Sequence, residues 1–353
     1  MSATRSDSWV VYRSDDSYCG PISMLARLAS GDIVLVFREA RWRGEVTHFD
    51  PTTHMSMLRS RDDGVTWFGQ VTPDAAGGNG VTVTQLSDGT VLGTCFHWLF
   101  APVDQAGCLD GRTRRREVPM FGLACALGGV HVVRSQTDGY TWSAPHPVPE
   151  PGGWAESFTF GAVVELPDGD LLMPCTASRS DHGRAHGLVL RSGDGGWSWG
   201  NPVGLTEEVP GEVNFHETRM VLCPSGTLLA MHRTPRGNYF RNRSTDGGRT
   251  WSATEDTGIW CGGSSPPDLR VLADGRLLLS RGYRRDPFGV RAYISQDDGA
   301  SWPQEVVLRD DGPDRDVGYP STVQLDDGSL LTVYYWHGDD GPRHLQATRW
   351  EIP

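Results

Sequence analysis

The sequence predicts an all-β fold, a six-bladed β-propeller with four antiparallel strands per blade. Three observations predict it. An eight-residue turn motif occurs five times, and a strand–glycine–strand unit occurs six times. The composition is rich in turn formers and aromatics, with 44 Gly, 23 Pro, 13 Trp, 11 Phe and 9 Tyr in 353 residues. Glycine and proline this frequent break long helices, while the aromatics supply a core.

The eight-residue motif has Ser first, an acid third or fourth, Gly fifth and Trp eighth. Its copies are 60–67, 135–142, 192–199, 244–251 and 295–302, as in Ser60-Arg-Asp62-Asp-Gly64-Val-Thr66-Trp67. An aspartate can accept backbone N–H groups inside a tight turn, glycine supplies positive φ, and tryptophan packs on the neighbouring sheet. The second copy carries Thr137 third, with its acid, Asp138, one place later. The flanking runs alternate and are β-branched, so each copy reads as a hairpin turn.

The strand–glycine–strand unit is centred on Gly31, Gly89, Gly169, Gly226, Gly275 and Gly328. Interleaving the two patterns gives four strands per unit, and six units make one propeller over 1–353. The last unit lacks the Ser-Asp-Gly-Trp turn and ends one strand short. The apolar run Ser8 to Arg13 can supply the missing strand and close the ring, which removes a sheet edge. The long interval between Gly89 and Gly169 holds an insertion at about 96–129, read as a loop over one face; it carries Arg112, Arg114, Arg115 and Arg116.

The chain has a net charge of −12, and its 32 basic residues are all arginine. An acidic chain without a basic tract is a poor partner for nucleic acid or an anionic membrane. Without lysine, a P-loop, a Schiff-base enzyme and a pyridoxal-phosphate site are excluded. No apolar run reaches 18 residues, so no membrane helix is expected. Seven cysteines without a CxxC motif, and a start without an apolar leader, predict free thiols and a cytoplasmic location. His182 and His186 lie in a glycine-containing loop rather than on a helix face, and no metal or other cofactor is expected.

In each blade the two short turns lie on one face, so a pocket belongs on the other, near the axis. That face collects the starts of the inner strands, including Glu217 and Tyr319, and the ends of the second strands with their loops. The latter include Arg38, Arg41, Glu45, His48, Asp50, Arg233, Arg284 and Arg285. Converging guanidinium groups suit an oxyanion such as a carboxylate, sulfate or phosphate, which can accept two parallel N–H bonds.

The five turn sequences resemble the Asp-boxes of the sialidase superfamily, and the six repeats cover essentially the whole chain. The run from Glu217 to Arg233 resembles the sialidase blade in which a Glu opens the inner strand and an Arg closes the next. Gly318-Tyr319-Pro resembles the segment carrying the nucleophilic tyrosine, and Phe37-Arg38-Glu39-Ala40-Arg41 resembles the first-blade Phe-Ala-Glu-x-Arg run. The resemblance implies a retaining exo-glycosidase for a carbohydrate with an acidic group. Tyr319 would be the nucleophile and Glu217 its base. Arg233 would bind the carboxylate with Arg284 or Arg285, and Arg38, Arg41 and His48 would contribute to substrate binding.

Asp50 is the first choice for the leaving-group acid, in competition with Glu45 and His48. The sequence departs from the family in blade 1, where Gly20-Pro21-Ile22-Ser23 stands in place of Arg-Ile-Pro. Arg13, Arg38 and Arg41 are the arginines that could replace the missing one. Two other readings use the same residues: a uronate lyase, in which Arg neutralises a carboxylate and Tyr or His moves protons, and a non-catalytic glycan-binding propeller.

Overall fold

The computed structural model describes residues 6–70, 78–180, 182–235, 237–261, 265–338 and 341–353. They form six antiparallel sheets, the blades of a propeller. From the inside outward, blade 1 is Ser17–Arg27, Ile33–Arg41, His54–Ser60 and Phe68–Gln70. Blade 4 is His216–Leu222, Leu228–Arg233, Asn238–Ser244 and Glu255–Trp260, and blade 5 runs from Asp268–Val271 to Gln304–Arg309. In blade 6, Gly318–Gln324, Leu330–Trp336 and His344–Trp350 are completed by the N-terminal strand Ser6–Tyr12. That strand pairs antiparallel with the C-terminal one, Ser8 opposite Thr348, so the ring closes as the sequence predicts. Tyr12 adds a tie to blade 1 by donating to Glu39 Oε1 at 2.6 Å.

The Asp-box turns show why the motif repeats. Ser60 Oγ accepts the Gly64 N–H at 2.8 Å, and Asp62 accepts both the Thr66 N–H (2.9 Å) and its hydroxyl (2.6 Å). A Cβ on Gly64 would lie 2.4 Å from Leu331 of blade 6, so the glycine is demanded by packing between blades as well as by its φ of 83°. In the second copy Thr137, not the displaced acid, takes over the acceptor role: its Oγ1 accepts the Thr141 N–H at 2.9 Å. Asp138 occupies the left-handed position of the turn, where Asp63 and Asp298 sit in the first and last copies. Arginines of the third strands stitch neighbours together. Arg59, Arg134 and Arg191 each donate to a carbonyl of the next blade's turn, at Asp138, Gly195 and Gly247. Their fixed charge and planar donor fork suit this buried carbonyl contact.

The insertion is an ordered extension of the sheet, where the sequence suggested a loop. The second and third strands of blade 2, Val91–Pro102 and Leu123–Ser135, continue past the blade and pair through Pro102 and Leu123. A 3-10 turn at Val103–Leu109 and the short strand Arg116–Val118 cap them. Alternating apolar residues Leu99, Ala101, Ala124 and Ala126 give this hairpin its own small core.

Candidate active site

The inner strands carry an irregularity at their loop-face ends. In blade 3, whose inner strand is Ala155–Thr159, and in blades 4 and 6 the pairing register breaks between Ala155 and Phe158, between His216 and Arg219, and between Gly318 and Ser321. The residues at these bulges, Glu156, Glu217 and Tyr319, have φ of 59°, 51° and 50°. A side-chain-bearing residue in the left-handed region costs about 1–2 kcal/mol. A bulge re-aims the side chain it carries, and here it turns three polar side chains into buried positions at the loop-face end of the axis.

Two of these side chains meet. Tyr319 donates its phenolic proton to Glu217 Oε1 at 2.7 Å, and Arg233 Nη1 donates to Glu217 Oε2 at 2.6 Å. Arg233 Nη1 also lies 3.5 Å from the Tyr319 oxygen. Burial alone would raise the Glu217 carboxyl, but the Arg233 cation and the hydrogen bonds from Tyr319 and Arg233 outweigh it, so its pKa falls below the ordinary glutamate value. Burial, reinforced by the Glu217 charge, pushes the Tyr319 phenol far up, and it stays neutral. A neutral phenol bonded to an ionised carboxylate can pass its proton to that carboxylate and so act as a nucleophile.

Cations gather on one side of this pair. Arg284 lies 5.8 Å from the Tyr319 ring centroid, donates Nε–H to the Val317 carbonyl at 3.2 Å, and bonds the Tyr335 hydroxyl. Arg343 lies 4.8 Å over the Tyr335 ring and is gripped by Asp316 through both Nε and Nη2, while its Nη1 is buried with no hydrogen-bond acceptor. The Arg343 carbonyl accepts the Cys19 N–H at 3.0 Å, which fixes it against blade 1 beside the glycine that stands where the family has arginine.

The other side is apolar. A cavity of about 190 Å³ is lined by Glu217, Tyr319, His48, Arg114 and the aromatic rings of Phe49, Phe96, Trp98, Phe158 and Phe160. Arg114 comes from the insertion. It lies over Phe158 and donates Nε–H to the fully buried Glu156 at 2.8 Å. His48 is accessible at the cavity mouth. The surrounding protein desolvates it, and Arg38 and Arg343 oppose its charge, so its pKa lies below the ordinary histidine value.

The residues singled out in the sequence thus divide into two groups. Tyr319, Glu217, Arg233, Arg284 and His48 come together. Arg285 does not join them: it is exposed and stacked 3.5 Å from the Trp260 centroid. Arg41 is also exposed, while Arg38 is 1% exposed and gives its Nη2 to the 47–53 loop, donating to Thr47 O and Thr53 Oγ1, with its Nε and Nη1 buried without an acceptor. Arg38 crosses Gly20 so closely that a Cβ there would lie 2.6 Å from its Cδ. Asp50 is 2% exposed, and both its oxygens are engaged, Oδ1 by Thr52 and Oδ2 by Arg43 at 2.8 Å. Arg343, Asp316, Tyr335 and the Arg114–Glu156 pair were not legible as site residues. Among the described residues, no group of three His, Cys, Asp or Glu side chains is placed to hold a metal ion, and no helix is long and apolar enough to cross a membrane.

The six sheets form a propeller of the fold seen in solved sialidases. The chain belongs to the family described as BNR repeat-like domain, which matches residues 120–332. Among solved structures it is similar to a protein of unknown function from Dyadobacter fermentans DSM 18053, with 29% identity over 98% of both chains and a TM-score of 0.87. It is also similar to the intramolecular trans-sialidase from Ruminococcus gnavus in complex with oseltamivir carboxylate, with 16% identity over 100% of this chain and 98% of that one and a TM-score of 0.71. The NanB sialidase from Streptococcus pneumoniae gives 13% identity over 98% and 70%, with a TM-score of 0.70. No curated protein matches the sequence.

Proposed function

We propose that the cup is the active site of a retaining exo-glycosidase that removes a terminal acidic sugar. The observation that carries this reading is the 2.7 Å hydrogen bond from Tyr319 to Glu217 in a site edged with arginine. The sugar's anionic group would face Arg233, Arg284 and Arg343, and its apolar face would lie on the aromatic wall. A carboxylate nucleophile would be repelled by a carboxylate on the substrate. A tyrosine hydroxyl is not, which is the physical reason for the departure from the usual two-carboxylate scheme.

In the first step the Tyr319 oxygen bonds to the anomeric carbon, its proton passes to Glu217, and the glycosidic bond breaks with a proton delivered to the leaving oxygen. With the Asp50 carboxylate fully engaged, His48 is the group at the cavity mouth suited to supply that proton. Water then attacks the anomeric carbon, its proton goes to His48, and Tyr319 leaves with the proton returned by Glu217. Acidic and neutral aryl glycosides tested with wild type and Tyr319→Phe check this reading. It expects turnover of an acidic glycoside by wild type alone, and turnover retained in Tyr319→Phe removes the nucleophile. The accessible His48 also favours a second reading, β-elimination on a uronate, which would show as an unsaturated product absorbing in the near ultraviolet.

A further inference from the structure

Two residues beyond Glu217 on the same inner strand, Arg219 is a buried cation without a hydrogen-bonded partner. It is 6% exposed, and its Nε and Nη1 have no acceptor. A buried guanidinium left in this state is costly, because it has given up its water for nothing. The acceptor nearest by charge is already taken. Asp268, on the adjacent inner strand of blade 5, accepts the Thr322 N–H at 2.8 Å and faces Arg270 at 3.2 Å. Arg270 completes its own bonding through Ser321 Oγ (2.8 Å) and the Leu25 carbonyl (3.2 Å). The charged and titratable groups that Arg219 senses are Asp268, Arg270, Glu217 and Tyr319. Glu217, in turn, is matched by Arg233.

One positive charge on the propeller axis is therefore uncompensated. Its chain neighbours Met220 and Val221, together with Arg270, Val323 and Gln324, line a cavity of about 490 Å³.

We infer that Arg219 holds a small inorganic anion, chloride under ordinary conditions, on the axis beneath the Tyr319–Glu217 pair. Two donors without acceptors on a buried, surplus guanidinium are what a small monovalent anion needs. The inference concerns binding, and it stands or falls independently of glycosidase activity.

The test compares thermal unfolding in sodium chloride, sodium bromide and sodium gluconate at equal ionic strength. Wild type should melt higher in either halide than in gluconate, by about 2 °C when the halide is well above its dissociation constant. Arg219→Met should lose the halide-specific rise while keeping its fold in gluconate. A bromide-soaked crystal of the wild type should show an anomalous peak beside Arg219, a measurement that needs no variant to fold. An equal rise in Arg219→Met, or a bromide crystal with no peak at Arg219, overturns the inference.

Discussion

Tyr319 and Glu217 occupy the same bulged position of blades 6 and 4, and the left-handed backbone at each turns phenol and carboxylate onto one another across the axis. Neither blade alone makes the pair. Glu217→Gln keeps the shape of the carboxylate but removes the proton acceptor and the charge facing Arg233. It should lower kcat on an acidic glycoside by about 10²–10⁴-fold while changing KM far less. A steady-state comparison in which KM rises and kcat holds would assign Glu217 to binding instead.

The pH profile of kcat/KM should be a bell on the acid side of neutrality. Glu217 must be ionised, and its pKa lies below the ordinary value of 4.5. His48 must be protonated to serve as the acid, and its pKa lies below the ordinary 6.5. Activity therefore rises as pH climbs through the first value and falls as pH climbs through the second. His48→Gln should remove the alkaline limb. An alkaline limb that survives in this variant assigns the acid to another group.

Arg343 should bind the substrate's anionic group although it lies on the last hairpin, far in sequence from blade 1. Arg343→Met should raise KM for an acidic substrate by about tenfold or more, the weight of one charge-assisted hydrogen bond. Arg285→Gln and Arg41→Gln should leave KM unchanged, because both side chains are exposed away from Tyr319. The opposite ranking would place the anion elsewhere on the rim.

Gly20→Ala should destabilise the fold by about 1–3 kcal/mol, because the new methyl meets the Arg38 side chain at 2.6 Å. The partner change Arg38→Ala removes the Cδ and Cγ contacts, leaves the Cβ contact at 2.9 Å, and also frees the 47–53 loop. A double-mutant cycle by chemical denaturation should therefore show coupling between the two sites, and strict additivity would count against the contact.

The Asp-boxes should govern acid stability. Ser295 Oγ accepts the buried Gly299 N–H at 2.8 Å, so Ser295→Ala should cost about 1–3 kcal/mol for the donor it orphans. Asp297 is brought down to about 2: burial would raise it, but hydrogen bonds from Ser301 and Ser295 dominate. A carboxylate depressed in the fold stabilises it above the unfolded value, and that contribution is lost as pH falls from 3.8 toward 2. Melting curves between pH 5 and pH 2 should show a decline in this window that is shallower in Asp297→Asn.

Much of the fold was legible because its determinants are local. Each Asp-box turn closes through hydrogen bonds within eight residues, and each strand–glycine–strand unit is one hairpin. Repetition then left a closed ring as the way to bury every sheet face. The short last unit and the apolar start even indicated where the ring joins. The rim that holds Tyr319, Glu217 and Arg233 was legible too, since strand starts and ends identify it, and the resemblance to sialidase motifs singled out the three.

What the sequence by itself determined was the six-fold repeat, the closure and the face that bears the site, all consequences of hydrogen bonding and alternation along short segments. Tertiary structure alone decided which side chains meet in the cup. It chose Arg284 over its neighbour Arg285, engaged Asp50 in its own loop, laid Arg38 across Gly20, and brought Arg343 and Arg114 from distant hairpins to opposite sides of Tyr319. These choices depend on loop conformation and on packing between blades, where no periodicity constrains the chain and a side chain's direction follows from its three-dimensional neighbours.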